Sequence, residues 1–319
     1  MLLLTGATGL VGSALLPRLT ASGRPVRCLV RDPRRLGAER VRVQLALGDL
    51  SDPPSFRNAL RGVDTVVHLA AAIRDQPGGS IEELNAVATW RMVQAAHRAG
   101  VEHFIFFSAQ SASAHNRTRF MRAKALAERA VAESGVRHTI FAPSIVYAPG
   151  DVFLTLLERM ALLPVVPISG SGRALFQPIW PQDVADCVMA ALERADGAER
   201  YELSGPETLS YDAIVGLALR AAGRPRPLVH VPLGVVSRSL RTLEALMRSK
   251  AFATWDEAEL MEVTMTSAGG TADARSLGVV PRRMGVVLGE VCRAKSGVRR
   301  RTRDRSSPLN DRLPGKLAR

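Results

Sequence analysis

Thr5-Gly6-Ala7-Thr8-Gly9-Leu10-Val11-Gly12 decides the fold of this chain. Its glycines follow a Gly-x-x-Gly-x-x-Gly spacing between an apolar run, Leu2 to Leu4, and an amphipathic stretch, Leu10 to Ala21. A strand that enters a glycine turn and leaves it as a helix is the context in which such a spacing carries meaning. The first glycine permits the tight turn, the second lets backbone approach a diphosphate, and the third lets helix pack closely on strand. Amides at the helix start, at the positive end of its dipole, then face the anion. Gly6, Thr8, Gly9, Leu10, Val11 and Gly12 are therefore candidate contacts for a dinucleotide.

Outward from that turn, Pro25 to Val30 reads as a second strand, and Val41 to Leu47, Thr65 to Leu69, His103 to Ser108 and Arg137 to Ala142 as further buried strands. Helical patterns lie between them around Phe56 to Arg61, Ile81 to Ala99 and Arg119 to Ser134. This alternation predicts an α/β fold, a Rossmann-type doubly wound parallel sheet with helices on both faces. After Tyr147 the rhythm breaks at Pro164, Pro167, Gly170, Gly172 and Pro178, with helices predicted at Phe153 to Leu162, Gln182 to Glu193 and Tyr211 to Ala222. The expected division is a nucleotide-binding domain over 1–147, with later strands free to rejoin its sheet, a smaller α/β substrate or cap region over 148–292, and a tail over 293–319.

The second strand ends Leu29-Val30-Arg31-Asp32, with Arg34 and Arg35 close behind. At that position an acid hydrogen-bonds the ribose 2′-hydroxyl of NAD, whereas an arginine accommodates the 2′-phosphate of NADP. Arg31 comes first, so NADP(H) is favoured, with Asp32 opening the next turn beside Pro33. NAD(H) stays open as the alternative.

The 319 residues carry a formal charge of +13. From Arg293 to Arg319 ten Arg or Lys face two Asp, a net +8, which leaves +5 on the rest of the chain. Rich in Ser, Pro and Gly at its end, that tail has the makeup of a solvated appendage that meets RNA or anionic lipid only through charge; no specific nucleic-acid site is expected. Leu2 to Leu4 is too short for a secretory signal, and no apolar run is long enough to cross a bilayer. Cys28, Cys187 and Cys292 lie far apart, which suits a reducing compartment, so the expected location is cytoplasmic. The six histidines lack metal-ligand spacing, the cysteines form no zinc pair, and no metal is expected. Trp90, Trp180 and Trp255 read as packing residues.

Together these residues resemble the extended and atypical short-chain dehydrogenase/reductase superfamily, over Met1 to roughly Gly289. The resemblance implies that Gly48-Asp49-Leu50 contacts adenine and that His68-Leu69-Ala70-Ala71 lies beside the cofactor, with Asn85 and Thr89 on the following helix. Pro143-Ser144-Ile145-Val146-Tyr147 resembles the segment that passes the nicotinamide. The loop from Ser108 to Phe120, the stretch Pro143 to Asp151, and Phe176-Gln177-Pro178-Ile179 before Asp183-Val184-Ala185 are most similar to the branch containing the nucleotide-binding accessory subunit of respiratory complex I. Asp183 also reads, more simply, as a helix cap.

Active members of the superfamily use Ser, Tyr and Lys: the tyrosine exchanges a proton with the substrate oxygen, and the lysine four residues later lowers its pKa and holds the nicotinamide ribose. The matching stretch here is Phe120-Met121-Arg122-Ala123-Lys124, so the lysine is present and the tyrosine is phenylalanine. The serine position falls at Ala109, flanked by Ser108 and Ser111. A phenyl ring has no ionisable proton. Lys124 remains a candidate for the cofactor ribose and, with Tyr147, for catalysis; Ser108 is a further cofactor candidate, and His115 a weaker proton donor. The expected function is that of an NAD(P)(H)-binding relative, an oxidoreductase or epimerase/dehydratase-like protein without the usual tyrosine. The alternative is a non-catalytic regulatory or complex-assembly module that holds NADPH. Either a small-molecule substrate or a protein complex would be its partner, and Ile81 to Ala99 with Arg119 to Ser134 could pair in a homodimer, as superfamily relatives do.

Overall fold

The computed structural model describes residues 1–194, 200–232, 234 and 255–290. The predicted tail therefore lies outside the described residues, as does Cys292. The strands are β1 (Leu2–Thr5), β2 (Val26–Val30), β3 (Gln44–Leu47), β4 (Thr65–His68), β5 (His103–Phe107), β6 (His138–Pro143), β7 (Val166–Ser169), β8 (Leu175–Phe176), β9 (Arg200–Leu203), β10 (Leu209–Ser210) and β11 (Leu228–Val231). The main helices are α1 (Leu10–Ala21), α2 (Pro53–Phe56), α3 (Ala88–Arg98), α4 (Arg119–Ala132), α5 (Val152–Met160), α6 (Pro181–Leu192) and α7 (Tyr211–Ala221).

Seven strands form one sheet in the order β3-β2-β1-β4-β5-β6-β9, and every pairing in it is parallel. Successive side chains of a strand point to opposite faces, and the buried strands sort accordingly. Leu2, Leu4, Val67, Ile105 and Phe107 pack on one face with Leu15 and Leu19 of α1 and Val184 and Val188 of α6. Leu3, Val66, Phe104 and Phe106 pack on the other with Met92 and Val93 of α3 and Ala127 and Val131 of α4. Leu2, Leu3 and Leu4 are fully buried, each worth about 1.5–3 kcal/mol relative to exposure. Both faces covered explains why these strands read as unbroken apolar runs.

After β6 the chain builds the cap, then returns. The helix α6 lies beside α1, tied by Arg18 to Asp186 at 2.6 Å, and β9 extends the main sheet next to β6. The cap itself holds two small sheets, parallel β7–β11 and antiparallel β8–β10. Its core gathers Leu154 and Leu157 of α5, Ile214 and Val215 of α7, Phe176, Tyr211 and Leu260.

Three expectations need correction. The predicted buried strand Val41 to Leu47 begins at Gln44 and is mostly exposed, because β3 is the sheet's edge. Before it, Pro33–Arg42 forms short helical turns kinked at Gly37, whose φ is 58°. Asp183 makes no capping bond to its own helix; its carboxylate accepts the amide of Arg282 at 2.8 Å, a long-range tie. Trp90, read as a packing residue, is 53% exposed on α3.

Candidate functional site

The glycine turn sits where β1 meets α1, at the carboxyl ends of the parallel strands, the usual ligand position in such sheets. Gly6 has φ +71°, and a Cβ there would lie 2.7 Å from the Ala70 nitrogen. Gly12 is tighter still: a Cβ would meet the Gly6 oxygen at 2.2 Å and the Ala7 Cα at 2.7 Å. Gly9 differs, since its Cβ would meet only the Gly6 oxygen, at 3.3 Å. Two glycines are thus required by the protein's own packing, and the third is required only if something else approaches.

That something has room. A cleft of about 550 Å³ is lined by the turn from Thr5 to Gly9, by Arg31, Asp32 and Arg35, by Gly48-Asp49-Leu50, and by the loop Leu69 to Ala72. Each segment follows a different strand, β1 to β4, so the sheet order brings four distant stretches to one crevice. On the cleft wall the Asp32 carboxylate accepts the Arg34 amide at 3.0 Å and caps the following turn. Among the described residues Arg31 reaches Gln76, at 3.3 Å. The Asp49 carboxylate holds Ser51 through its amide at 3.0 Å and its hydroxyl at 2.9 Å, which fixes the loop around it.

The loop after β4 is fixed from behind. Asn85 grips Ala72 by both backbone groups, accepting its amide at 3.2 Å and donating to its carbonyl at 2.7 Å. Asn85 stands in a π-helical turn, Glu83–Val87, that precedes α3; such turns recur at functional sites. His68 is fully buried and joins Thr5 at 2.9 Å to Thr89 at 3.2 Å, linking β1, β4 and α3. Burial, reinforced by the nearby Lys124 charge, pushes the His68 pKa down to about 3. The imidazole is therefore neutral, a cross-link and not an acid.

Beyond this cleft the crevice changes character. Lys124 is buried and donates to the Phe107 carbonyl at 2.6 Å, with its ammonium 4.9 Å from the centre of the Phe106 ring and 5.7 Å from that of Phe120. Burial lowers its pKa to about 7, partly offset by Glu128. Phe120 packs between the cap core and a small cluster of Ile81, Ala86 and Ala123. The Ser108 hydroxyl is buried and has no hydrogen-bond partner among the described residues. Tyr147 is packed in the cap core; its hydroxyl also lacks a partner, and burial with the charges of Asp183 and Glu207 pushes its pKa up, against proton donation. His115 is exposed.

Ser144 is committed elsewhere: its hydroxyl donates to the Met265 carbonyl at 2.7 Å and accepts the Gln177 amide at 3.0 Å. Ser111, at φ 64°, likewise donates to the Thr264 carbonyl at 2.6 Å. Pro143 ends β6, the Ile145 carbonyl accepts the Ile179 amide at 3.0 Å, and the Tyr147 amide donates to the Ile179 carbonyl at 3.3 Å. Of the sequence-derived candidates, the structure gathers Gly6, Thr8, Gly9, Arg31, Asp49, Leu50, Leu69, Ala70 and Ala71 around the cleft. Leu10, Val11 and Gly12 start the helix behind it, while Ser108, Lys124, Pro143, Ser144, Ile145 and Tyr147 are not on its wall. Sequence reasoning missed Thr5, Ala72 and Gln76, which also line it. Among the described residues no group of His, Cys, Asp and Glu could hold a metal ion.

A family model described as NAD(P)H-binding matches residues 6–161. "Sterol demethylase protein B" of Methylococcus capsulatus is 31% identical, over 72% of this chain and 77% of its own length. The chain belongs to the short-chain dehydrogenase/reductase superfamily, in its atypical NAD(P)-binding branch. Other members similar to it include "Photosystem II assembly factor Ycf39" of Cyanophora paradoxa, 31% identical over 76% of this chain and 74% of that one. "NADH dehydrogenase [ubiquinone] 1 alpha subcomplex subunit 9, mitochondrial" of Arabidopsis thaliana is 29% identical over 64% and 54%. Among solved structures, a nucleoside-diphosphate-sugar epimerase from Staphylococcus aureus superposes with a TM-score of 0.73 at 21% identity, covering 90% of this chain and 99% of that one, a likeness of fold.

Within the short-chain dehydrogenase/reductase superfamily, Phe120 and Ala109 stand where the sequence leads one to expect the phenol and hydroxyl of active members. Around Phe120 the crevice is also laced with charge. Arg119 pairs with Glu82 at 2.7 Å, Asp75 at 3.0 Å and Asp256 at 3.4 Å, and Arg74 with Glu257 at 2.6 Å. These pairs hold the helix Trp255–Leu260 against the start of α4 and the loop after β4. No helix among the described residues is long and apolar enough to cross a membrane.

Proposed function

We propose that this chain binds NADP(H) in preference to NAD(H) and works as a reductase-like protein in which no side chain supplies a phenolic proton. The preference is carried by one observation: Asp32 is occupied in capping the Arg34 amide, while Arg31 and Arg35 line the cleft wall. A 2′-phosphate at that wall would meet two cations, with the Asp32 carboxylate of the same wall engaged by the Arg34 amide. The Gly6 to Gly12 turn holds the diphosphate, Asp49 faces adenine, and Lys124 with the orphaned Ser108 hydroxyl stands nearest the nicotinamide ribose. Pro143, Ser144 and Ile145, which lie outside the cleft lining, are the residues expected on the ring's side.

When bound, the nicotinamide would supply or accept hydride at its ring carbon. Phe120 has no proton to give and Tyr147 is packed with a raised pKa, so the proton that balances hydride transfer comes from water. The substrate class this allows is one whose carbon accepts hydride without prior protonation of its oxygen. Titration with NADPH and NADH, followed by nicotinamide fluorescence, tests the binding; failure of both to bind at millimolar concentration sinks it. Turnover across a panel of carbonyls and quinones tests the chemistry.

A second reading, a nucleotide-holding module within a protein complex, is favoured by the Arg119 network, which ties the start of α4 to the loop after β4 and to the helix Trp255–Leu260 beside Phe120. Relatives named as an assembly factor and as an NADH dehydrogenase subunit support it. Cofactor that binds tightly and stays unreacted across the whole panel would select this reading. A homodimer through α3 and α4 is consistent with exposed Trp90 and Leu126 on those helices, and sedimentation tests it. Cys28 and Cys187, both free and buried, with burial pushing their pKa values up to about 12, support a reducing, cytoplasmic setting.

A further inference from the structure

At one end of the cap, far in sequence from the glycine turn, two neighbouring segments present apolar side chains to solvent. Leu162, Leu163 and Val165, between α5 and β7, are 66%, 49% and 40% exposed, and Val229 on β11 is 46% exposed. They form one lip. Val229 stands opposite Pro167 in the parallel pair, the Val166 amide donates to the Pro227 carbonyl at 3.0 Å, and Arg226 donates to the Leu163 carbonyl at 3.0 Å. The alternation of β7 sends Val166 and Ile168 into the cap core, which leaves Val165 and Pro167 facing outward.

The lip is rimmed by cations. Arg159, Arg224 and Arg226 are exposed, and none makes an ion pair among the described residues. Glu158 is the sole carboxylate of segments 158–167 and 222–230. Large apolar residues left exposed on neighbouring segments contribute little to the core, and clusters of this kind mark interaction sites. A ring of unpaired arginines around them complements an anionic surface.

We propose that this lip docks on an anionic membrane surface. Leu162, Leu163 and Val165 enter the boundary between headgroups and acyl chains, and Arg159, Arg224 and Arg226 meet lipid phosphates. Charge complementarity favours lipid over a protein partner: three exposed arginines against one exposed carboxylate, Glu158, give these segments a net positive charge, and residues 293–319 add a net +8 of the same sign.

The test is co-sedimentation of the full chain with phosphatidylcholine vesicles, with and without about one third phosphatidylglycerol. The parent is expected to bind the anionic vesicles and not the neutral ones. Leu162→Ser, Leu163→Ser and Val165→Ser together should lower the partition coefficient by about tenfold or more. Arg224→Gln with Arg226→Gln should lower it by about tenfold on anionic vesicles. Melting curves and NADPH titrations of both variants should match the parent, since neither segment lines the cleft. The proposal is overturned if the parent binds neither vesicle, or if the serine variant binds as the parent does, which would put the attraction elsewhere in the chain. It is equally overturned if the serine changes only dissolve a dimer seen by ultracentrifugation.

Discussion

At the adenosine end of the crevice, backbone amides, Arg31 and Asp49 surround an open cleft of about 550 Å³; at the nicotinamide end, Phe120, Lys124 and Tyr147 are packed into protein. The first end is built from loops after β1 to β4, held by Asn85 and His68 from behind. The second depends on α4 and the cap, where Ala109 and Phe120 stand at the positions expected for a hydroxyl and a phenol. On the proposed reading the difference teaches that gripping a dinucleotide and turning it over are separable: backbone geometry would sustain one, and two oxygen atoms would decide the other.

The largest effect should come from the turn itself. Gly12→Ala puts a methyl 2.2 Å from the Gly6 oxygen and against the Ala7 backbone, atoms that cannot move without displacing β1. A loss of about 3 kcal/mol or more in urea unfolding is expected, together with loss of cofactor binding. Gly9→Ala meets only the Gly6 oxygen, at 3.3 Å, so it should melt close to the parent yet bind NADPH about tenfold more weakly or worse. If both variants fail alike in melting, Gly9 is a packing residue and the cleft loses its main support as a diphosphate site.

Next in size is the choice of nucleotide. Arg31→Ala should weaken NADPH by about 10- to 100-fold, the scale of one hydrogen-bonded charge contact, and change NADH by about twofold at most. Equal losses for both nucleotides would show that Arg31 acts on the loop and not on a 2′-phosphate.

His68 sharpens the comparison by pH. Its pKa is about 3 folded against roughly 6.5 for a free imidazole. A base whose pKa is lowered by folding is protonated first in the unfolded chain, so between about pH 6.5 and pH 3 stability falls as pH falls, by at most about 1.4 kcal/mol per pH unit. Lys124, about 7 when folded, acts in the same direction at higher pH, costing stability below roughly 10.4 and reaching its full cost near its folded value. His68→Gln should flatten the acid limb of a stability-against-pH curve and leave NADPH affinity near neutrality within a few-fold. An unchanged acid limb would mean that another buried group governs it.

The lining of the cleft was legible in the sequence because its signals are local: glycines at fixed spacing, a strand before, a helix after, an arginine at the end of β2. What it did not carry is long-range. Nothing near Asp183 reveals that its partner is the Arg282 amide, and nothing near Ser144 or Ser111 reveals that both donate to carbonyls at 264–265. A strand pattern at Val41 to Leu47 is indifferent to whether the strand is central or at an edge, because edge position follows from sheet order. Trp90 shows the same limit, since one exposed face of α3 depends on what the remaining helices cover.

Phe120→Tyr is the smallest expected effect and the most direct probe of the contrast between the two ends. The new phenol would stand one helical turn before Lys124, whose Nζ lies 5.7 Å from the Phe120 ring centre, and a neighbouring ammonium favours the phenolate. Yet Lys124 is held by the Phe107 carbonyl, and Ala109 offers no hydroxyl to steady a substrate oxygen. The single variant should therefore raise NADPH-dependent carbonyl reduction by no more than about tenfold, the low end of what a positioned general acid supplies. Adding Ala109→Ser should raise it further, with a new pH dependence on the alkaline side as the phenol titrates. If the double variant gains nothing while still binding NADPH as the parent does, the nicotinamide end is closed by packing and not merely disarmed, and the module reading gains at the expense of the reductase.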